Sequence, residues 1–333
     1  MAGKRQRIPL ASHTALQSPQ PAVRPARIMR ITALCGGVGG AKLALGLQHA
    51  AGDLTLVVNT GDDFTHGGLP ICPDIDTVLY TLSGKANAAQ GWGREGESFA
   101  VQDEWRALGE DPWFTLGDKD IALHLIRLRA LAAGAALSEV TADLARRLGV
   151  SARVVPMCEE PAPTSVDTDE GLLAFQEYFV RRRCAPRVSA IRFGSTGKAA
   201  APVALAAIDA AEGLVLCPSN PLLSIAPILA LDGMAEALGR RTVPAVAVSP
   251  IVAGSAVKGP TAKIFAELGL EVSALSVARQ YAGLIDILVI DGHDAPLAPQ
   301  IGELGIRAVV APTLMTTLED RIALAERCLA LLG

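Results

Sequence analysis

A glycine-rich segment and two acidic segments hold the residues of this chain that are best suited to chemistry. In chain order they are Gly36-Gly37-Val38-Gly39-Gly40-Ala41-Lys42, Asn59-Thr60-Gly61-Asp62-Asp63 and Pro73-Asp74-Ile75-Asp76-Thr77. Glycines between a strand and a helix let backbone N–H groups approach a phosphate. Carboxylates beside a phosphate need a cation between them, and Mg²⁺ prefers such oxygen ligands. These residue types therefore predict metal-assisted chemistry on a phosphate or diphosphate.

The glycine segment satisfies neither standard phosphate-binding fingerprint. Lys42 stands where the third glycine of a dinucleotide-binding turn belongs, and no Ser or Thr follows it as a P-loop requires. We predict that Gly36, Gly37, Gly39 and Gly40 bind a phosphate together with Lys42. The alternative is a turn that needs glycine only for tight packing of a strand against a helix.

Each acidic segment also has a simpler interpretation. Asp74 could serve only as the N-cap of the helix that starts there, and Asp62 and Asp63 could be solvated loop acids. Yet both segments should face the crevice beyond the carboxyl ends of the strands, as the glycine turn does. Helix capping cannot explain all four carboxylates of the two segments, Asp62, Asp63, Asp74 and Asp76. We therefore predict a Mg²⁺ site there, with Asn59 and Thr60 binding the phosphate or nucleotide.

Three later segments carry further polar candidates. Ser219 and Asn220 follow the apolar run GLVLC and suit a phosphate or a ring carbonyl, although Ser-Asn-Pro is also ordinary turn chemistry. Lys258 could meet a phosphate as a point charge or remain solvated. His124 and Arg127 lie three residues apart on one predicted helix face, where a lone His is typical of a structural residue. No second His completes a zinc site.

Short apolar strands alternate with helices around these segments, which predicts an α/β protein with a mainly parallel sheet. The predicted strands are ITAL, LTLVVN, VSAIRF, GLVLCPS, VPAVAVSP, DILVIDG and IRAVVAP. Residues 29–84 and 186–333 should form the core. Residues 85–185 should form a mainly helical insertion with helices at 97–108, 118–133 and 138–148.

Composition excludes several classes of protein. The 333 residues are 50% hydrophobic with a net charge of -4, and no basic cluster beyond three consecutive arginines indicates nucleic-acid binding. Six scattered cysteines indicate reduced thiols and a cytoplasmic protein, and we expect no membrane span. Residues 1–28 are basic and proline-rich, so we expect a disordered, dispensable tail that precedes a possible start at Met29.

Several segments together resemble the 2-phospho-L-lactate transferase family of coenzyme F(420) biosynthesis. They are GGVGGAKL, NTGDD, ICPDIDTVLY, GWGREGESF, LGDKDIALHLIR, CPSNPLLSI and SPIVAGSAVKGP. The similarity runs from about Ile31 to the C-terminus, and the order and spacing of the segments make it specific.

The resemblance implies a Rossmann-like three-layer α/β/α fold, a homodimer, and transfer of a 2-phospho-acid from a guanosine-diphospho-linked donor to a deazariboflavin hydroxyl with release of GMP. It implies that Asp62 and Asp76 bind the metal and that Asp74, Asp76 and Lys119 bind the deazaflavin. Phosphoryl transfer needs positioning and charge neutralisation, so one aspartate, Asp62 or Asp63, suffices as the base.

Two other functions remain open at this point. A nucleotide-sugar or NAD(P)-dependent enzyme would share the strand–turn–helix unit, although the missing third glycine counts against it. A nucleotide-binding regulator without turnover would need only the glycines and carboxylates. The sequence also leaves open whether the donor acid is phospholactate, phosphoenolpyruvate or phosphoglycerate, which differ by one substituent.

Overall fold

A computed structural model describes residues 29–256 and 260–333 of the chain, so the predictions for residues 1–28 and for Lys258 lie outside the described residues. In chain order the described strands are β1 (Arg30–Cys35), β2 (Asp53–Val58), β3 (Phe64–His66), β4 (Leu69–Ile71), β5 (Arg153–Pro156), β6 (Ser165–Thr168), β7 (Gly171–Ala174), β8 (Val188–Arg192), β9 (Gly213–Leu216), β10 (Ala245–Val248), β11 (Ile251–Val252), β12 (Ser255–Ala256), β13 (Ile287–Ile290) and β14 (Arg307–Val310).

The described α-helices follow the same numbering. They are α1 (Gly37–Ala50), α2 (Pro73–Leu82), α3 (Ala100–Ala107), α4 (Asp118–Ala132), α5 (Leu137–Leu148), α6 (Pro202–Ala210), α7 (Ala226–Leu229), α8 (Met234–Gly239), α9 (Thr261–Glu267), α10 (Ala274–Gln280), α11 (Ala298–Gly302) and α12 (Leu318–Leu332). Within the described ranges, none of them has the length and apolar character needed to cross a membrane.

Seven parallel strands form the central sheet, in the order β14-β13-β10-β9-β1-β2-β5. From β1 the chain first builds one side of the sheet through β2 and β5, and then builds the other side from β9 to β14. The direction of strand addition therefore reverses between β1 and β9. In open α/β sheets, ligands bind beyond the carboxyl ends of the strands at such a switch point. The predicted α/β class and parallel sheet are confirmed.

Both faces of the sheet are buried, which explains the near-continuous apolar strands. On β1, Ile31 and Ala33 join a core that includes side chains of α1, α2, α5 and α12, whereas Leu34 joins a core that includes α6, α8, α10 and α11. Alternate residues of a strand point to opposite faces, so a single strand supplies both cores. The result is the expected three-layer arrangement.

Two strands differ from the sequence-based expectation. The segment VSAIRF contains β8, which belongs to a separate antiparallel sheet of order β7-β6-β8 rather than to the central sheet. Its Ser189 and Arg192 are exposed, and a strand with exposed residues does not suit a parallel sheet that is buried on both faces. The central sheet instead contains β5, which lies inside the range 85–185 that we had expected to be mainly helical. Helices α3, α4 and α5 do occupy the predicted positions in that range.

Candidate functional site

A cavity of about 610 Å³ opens at the switch point between β1 and β9. This volume suits a nucleotide or a cofactor-sized ligand. Its wall includes the turn after β1, the loop after β2, the start of α2, the turn after β9 and the loop after β10. The glycine segment, the acidic segments and the Ser219-Asn220 turn thus meet at one place, as their positions after parallel strands predict.

The glycine turn is partly satisfied by the protein itself. The Gly36 N–H donates to Ser219 Oγ at 3.0 Å, and the Gly37 N–H donates to Asp74 Oδ1 at 2.6 Å. Helix α1 begins at Gly37, and the first four N–H groups of a helix have no partner within it. Val38 and Gly39 line the cavity, so an anion in this part of the cavity would lie beside the start of α1.

Packing also requires glycine in this turn. A Cβ atom on Gly39 would lie 2.5 Å from the Pro218 carbonyl oxygen, and one on Gly40 would collide with Ser219 Oγ. Gly37 has a φ of 64°, in the left-handed region that favours glycine. Tight packing therefore accounts for glycine at these positions, and it is compatible with anion binding by the same backbone.

Asn59 connects the two acidic segments. Its Nδ2 group lies 2.9 Å from Asp74 Oδ2 and 3.4 Å from Asp62 Oδ1, while its Oδ1 atom accepts from the Gly61 N–H at 2.9 Å. The N-cap of α2 is Cys72, so Asp74 does not cap its own helix and instead accepts from the start of α1. Asp62 and Asp74 both line the cavity.

The carboxyl groups in this cluster are buried and close together. Burial, with the neighbouring Asp74 and Asp63 carboxylates, raises the pKa of Asp62 well above its ordinary value. Burial also raises the pKa of Asp63, and it raises the pKa of Asp74 to about 6 against the hydrogen bonds from Asn59 and Gly37. Such groups need either a proton or a cation to compensate their charge.

Asp76, by contrast, points away from the cavity. It forms a bidentate ion pair with Arg127, whose Nη1 lies 3.1 Å from Asp76 Oδ2 while Nη2 contacts Oδ1. Its Oδ2 atom also lies 3.7 Å from His124 Nδ1. The structure therefore places the predicted metal- and deazaflavin-binding carboxylate of Asp76 against a buried arginine rather than at the cavity wall.

The other predicted site residues divide between the cavity and its surroundings. Lys42 lines the cavity and donates to the Met315 carbonyl at 2.8 Å. Thr60 is buried outside the lining, with its hydroxyl 3.5 Å from Cys158 Sγ. Asp63 is also outside the lining, and its Oδ1 has no hydrogen-bond partner among the described residues.

Lys119 contacts a loop rather than the cavity. Its ammonium group donates to the carbonyl oxygens of Glu95 at 3.2 Å and Gly96 at 2.6 Å. The same loop carries Gly91 and Trp92, which do line the cavity. Lys119 is thus placed to support part of the cavity wall.

The turn after β9 combines a cavity position with a structural role. Asn220 lines the cavity, yet its Oδ1 accepts from the Leu222 and Leu223 N–H groups at 2.9 and 3.1 Å. Its Nδ2 donates to Thr261 Oγ1 at 3.0 Å. Ser219 also lines the cavity, and its hydroxyl accepts from the Gly36 N–H. The two residues hold the glycine turn and α9 at the same crevice.

Aromatic side chains at the cavity were missed by residue-type reasoning. Trp92, Phe114, Phe175 and Phe179 line it, and the rings of Phe175 and Phe179 stack with centroids 5.4 Å apart. Only 4% of the chain is aromatic, so four such rings at one cavity form an unusual apolar wall. The glycines around Trp92 in GWG were the available sequence signal, because they mark an exposed loop.

This arrangement can bind a charged group and a flat apolar group side by side. The start of α1, two carboxylates and four aromatic side chains all line the cavity. No three His, Cys, Asp or Glu side chains among residues 29–256 and 260–333 form a complete metal-ligand set. A cation at Asp62 and Asp74 would therefore need ligand oxygens to complete its coordination, which is how Mg²⁺ usually binds with phosphates.

Comparison with solved structures supports the fold. An X-ray crystal structure of a Bacillus halodurans protein aligns with a TM-score of 0.61 at 14% sequence identity, covering 91% of this chain and 100% of that chain. A crystal structure from the same organism, described as a member of the UPF0052 family, gives a TM-score of 0.57 at 15% identity. At these identities the similarity shows the fold alone.

Sequence comparison is more specific. A phosphoenolpyruvate transferase of Streptomyces griseus is 42% identical, over 91% of this chain and 98% of the relative. A 2-phospho-L-lactate transferase of Methanosarcina mazei is 37% identical, over 87% of this chain and 96% of the relative. The family model for 2-phospho-L-lactate transferase CofD matches residues 31–301. This chain therefore belongs to the CofD family of transferases.

Proposed function

We propose that the protein transfers a 2-phospho-acid from a guanosine-diphospho-linked donor to the ribityl hydroxyl of 7,8-didemethyl-8-hydroxy-5-deazariboflavin in coenzyme F(420) biosynthesis. One observation carries the proposal: helix-start N–H groups, two cavity-facing carboxylates and an aromatic wall line the same cavity. The relatives named phosphoenolpyruvate transferase and 2-phospho-L-lactate transferase support it. Homodimer formation, which the family resemblance implies, belongs to the same proposal.

The two substrates suit different parts of the cavity. The donor diphosphate fits the start of α1, where the Val38 and Gly39 N–H groups and Lys42 supply donors and positive charge. The tricyclic deazaflavin ring fits the wall of Trp92, Phe114, Phe175 and Phe179, because flat aromatic systems bind by stacking and edge contacts. Val38 and Trp92 line the same cavity, so both substrates meet within it.

Asp62 and Asp74 would hold Mg²⁺. Their buried carboxyl groups have raised pKa values, and Asp62 and Asp74 both lie within reach of the Asn59 amide, so the pair fits a cation site completed by phosphate oxygens. When bound, the metal would neutralise charge on the diphosphate. Asp76 is assigned no ligand role because Arg127 already binds both of its carboxylate oxygens.

The chain's own groups supply positioning and a proton acceptor. The ribityl hydroxyl oxygen attacks the phosphorus next to the acid, the bond from that phosphorus to the bridging oxygen breaks, and GMP leaves with that oxygen. Asp62, which lines the cavity, accepts the hydroxyl proton, whereas Asp63 does not reach the wall. Backbone N–H groups at the start of α1 orient the diphosphate for in-line attack.

An assay with each candidate donor tests the proposal. Purified protein with Mg²⁺ and deazariboflavin is supplied in turn with guanylylated phosphoenolpyruvate, phospholactate or phosphoglycerate, and the coupled product is identified by mass. We expect one phosphodiester product with equimolar GMP, and we expect phosphoenolpyruvate to be accepted because relatives at 40–42% identity carry that name. Absence of product with all three donors would overturn the proposal. Nucleotide binding without GMP release would favour a regulator.

A further inference from the structure

Three buried polar residues lie behind the cavity and have no role in the proposed chemistry. They are Asp76 on α2 and His124 and Arg127 on α4, with relative exposures of 6%, 2% and 0%. Burying an arginine without compensation is costly, so its partners must be well placed. The arrangement of those partners connects α4 to the cavity-facing turn of α2.

Arg127 joins three separate parts of the chain. Besides its bidentate contact with Asp76, its Nη1 donates to the Pro70 carbonyl at 3.3 Å and lies 3.0 Å from His124 Nδ1. Burial lowers the pKa of His124 to about 4 despite the attraction of Asp76. The imidazole is therefore neutral near pH 7, and its Nδ1 accepts from Arg127, which can only donate.

Asp76 and Asp74 lie two residues apart in the first turn of α2. Successive helical residues are about 100° apart, so these two side chains leave opposite sides of the helix. A fixed Asp76 therefore fixes the rotation of the turn that carries Asp74. On the cavity side, Asp74 accepts from the Gly37 N–H at 2.6 Å and from Asn59 at 2.9 Å.

We propose that His124 and Arg127 are positioning residues, which act through Asp76 to hold the Asp74 carboxylate against the start of α1. His124 orients the guanidinium group, Arg127 binds Asp76, and the first turn of α2 transmits this constraint to the cavity. The proposal concerns the resting structure and holds whichever phospho-acid the enzyme uses. Only its catalytic readout rests on the proposed function.

A pair of His124 substitutions tests the acceptor at Nδ1. Asn places its Oδ1 where His has Nδ1, whereas Leu fills similar space without an acceptor. The direct readout is hydrogen exchange at the Gly37 amide, which donates to Asp74. We expect His124→Leu to accelerate this exchange about tenfold or more and His124→Asn to restore it to within about twofold, because loss of one charge-supported hydrogen bond favours local opening.

Two controls separate positioning from general destabilisation. Ile301→Val shortens a fully buried side chain in the opposite core, which should lower stability without loosening Gly37. Arg127→Lys keeps the charge but loses the bidentate geometry, and it should behave like His124→Leu. Unchanged Gly37 exchange in His124→Leu, or equal acceleration in Ile301→Val, would overturn the proposal.

Catalysis provides a second readout. Under the proposed reaction, His124→Leu should lower kcat about tenfold with little change in the KM for deazariboflavin, because the aromatic wall is untouched. His124→Asn should recover most of the lost kcat. An inactive wild-type protein would count against the proposed function alone, since the Gly37 exchange rates would still decide whether His124 and Arg127 position Asp74.

Discussion

Asn59 is the residue on which the acidic part of the cavity depends. Its one amide group approaches Asp62 and Asp74, and its carbonyl oxygen accepts from the Gly61 N–H in the turn that leads to Asp62. This explains why two carboxylates that repel each other can lie together in a buried place. The arrangement favours a cation at Asp62 and Asp74, which both line the cavity.

Replacing Asp62 tests this residue's two proposed roles. Asp62→Asn removes the charge and the proton acceptor but keeps the shape, so turnover should fall at least about tenfold. Steady-state kinetics over a range of Mg²⁺ concentrations measures the effect. Asp167→Asn is the matched control, because Asp167 pairs with Arg192 in the small antiparallel sheet away from the cavity. Full wild-type activity in excess chelator would contradict the metal role.

Asn220 holds its turn through three hydrogen bonds to the protein. Asn220→Ala removes a helix-capping side chain, so we expect a loss of about 1 kcal/mol in the free energy of unfolding. We also expect about a tenfold fall in kcat/KM, equivalent to about 1.4 kcal/mol, if the side chain supports the ligand. Asn220→Asp keeps the capping oxygen and should retain most of the stability. Unchanged kinetics in folded Asn220→Ala protein would leave Asn220 with a capping role only.

The residue types in the sequence predicted the location of the cavity better than they predicted which side chains contact each other. Ser219 and Asn220 were predicted as ligand-binding residues because they follow the apolar run GLVLC; both line the cavity, and Ser219 Oγ accepts from the Gly36 N–H. The expectation followed from strand ends, which any parallel sheet brings together. The partner of Asp76 could not be predicted in this way, because Arg127 lies 51 residues further along the chain and only tertiary packing brings them together.

Among the elements, the loop between α2 and α3 contributes Trp92, one of the four aromatic side chains that line the cavity. Trp92 lies between Gly91 and Gly93, both with positive φ, and it is 47% exposed. Lys119 binds the base of this loop from the start of α4. An exposed tryptophan on a well-anchored loop is suited to cover a flat ring.

Shortening Trp92 should weaken acceptor binding selectively. A ring stacked on an aromatic side chain typically gains about 1–3 kcal/mol, so Trp92→Ala should raise the KM for deazariboflavin about tenfold or more. The KM for the nucleotide donor should change little. Trp92→Phe keeps an aromatic face and serves as the control. Equal increases in both KM values would mean that the loop supports the whole cavity rather than the acceptor.

The close contact of α1 with the turn after β9 can be tested with a single methyl group. Gly39→Ala places a Cβ 2.5 Å from the Pro218 carbonyl oxygen, so the helix start or the turn must move. We expect a loss of about 1–3 kcal/mol in stability together with weaker nucleotide binding. Gly239→Ala is the control, because its Cβ would meet nothing within 4 Å at the end of α8. That substitution should be neutral or stabilising by up to about 1 kcal/mol. Denaturant unfolding and GDP titration measure both variants.

Helices were easier to predict from this sequence than sheet membership. Helix α4 was expected at 118–133 and is observed at Asp118–Ala132, because its apolar residues repeat with helical spacing. Strand β5 has only four residues, so its Val154 and Val155 gave no usable pattern, and its place beside β2 depends on contacts far along the chain. β8 was longer and apolar enough to suggest the wrong sheet.

At the scale of the whole molecule, the cavity cluster should make stability depend on pH and on metal. Asp74 has its pKa raised from 3.8 to about 6 by burial, and the pKa values of Asp62 and Asp63 are raised in the same direction. Between pH 3.8 and about pH 6, Asp74 binds more protons in the folded protein than in the unfolded chain. The contribution of Asp74 to stability is therefore fully present below about pH 3.8 and is lost as the pH rises through about 6.

Magnesium should reverse that loss. Mg²⁺ at Asp62 and Asp74 replaces the protons, and a ligand that binds only the folded state raises the free energy of unfolding.

Without metal, wild-type protein should lose stability relative to Asp74→Asn between pH 4.5 and 7, because the variant has no carboxyl group at position 74 to ionise. Taking the difference cancels the carboxyl groups that do not interact with Asp74, such as Asp320, whose pKa is lowered to about 2. Mg²⁺ with GDP should then raise the melting temperature of wild type more at pH 7.5 than at pH 5, and should do little to Asp74→Asn. Denaturant unfolding and thermal melts on the two proteins measure these differences. A metal-induced shift that is equal at both pH values, or equal in the two proteins, would show that the cation binds elsewhere.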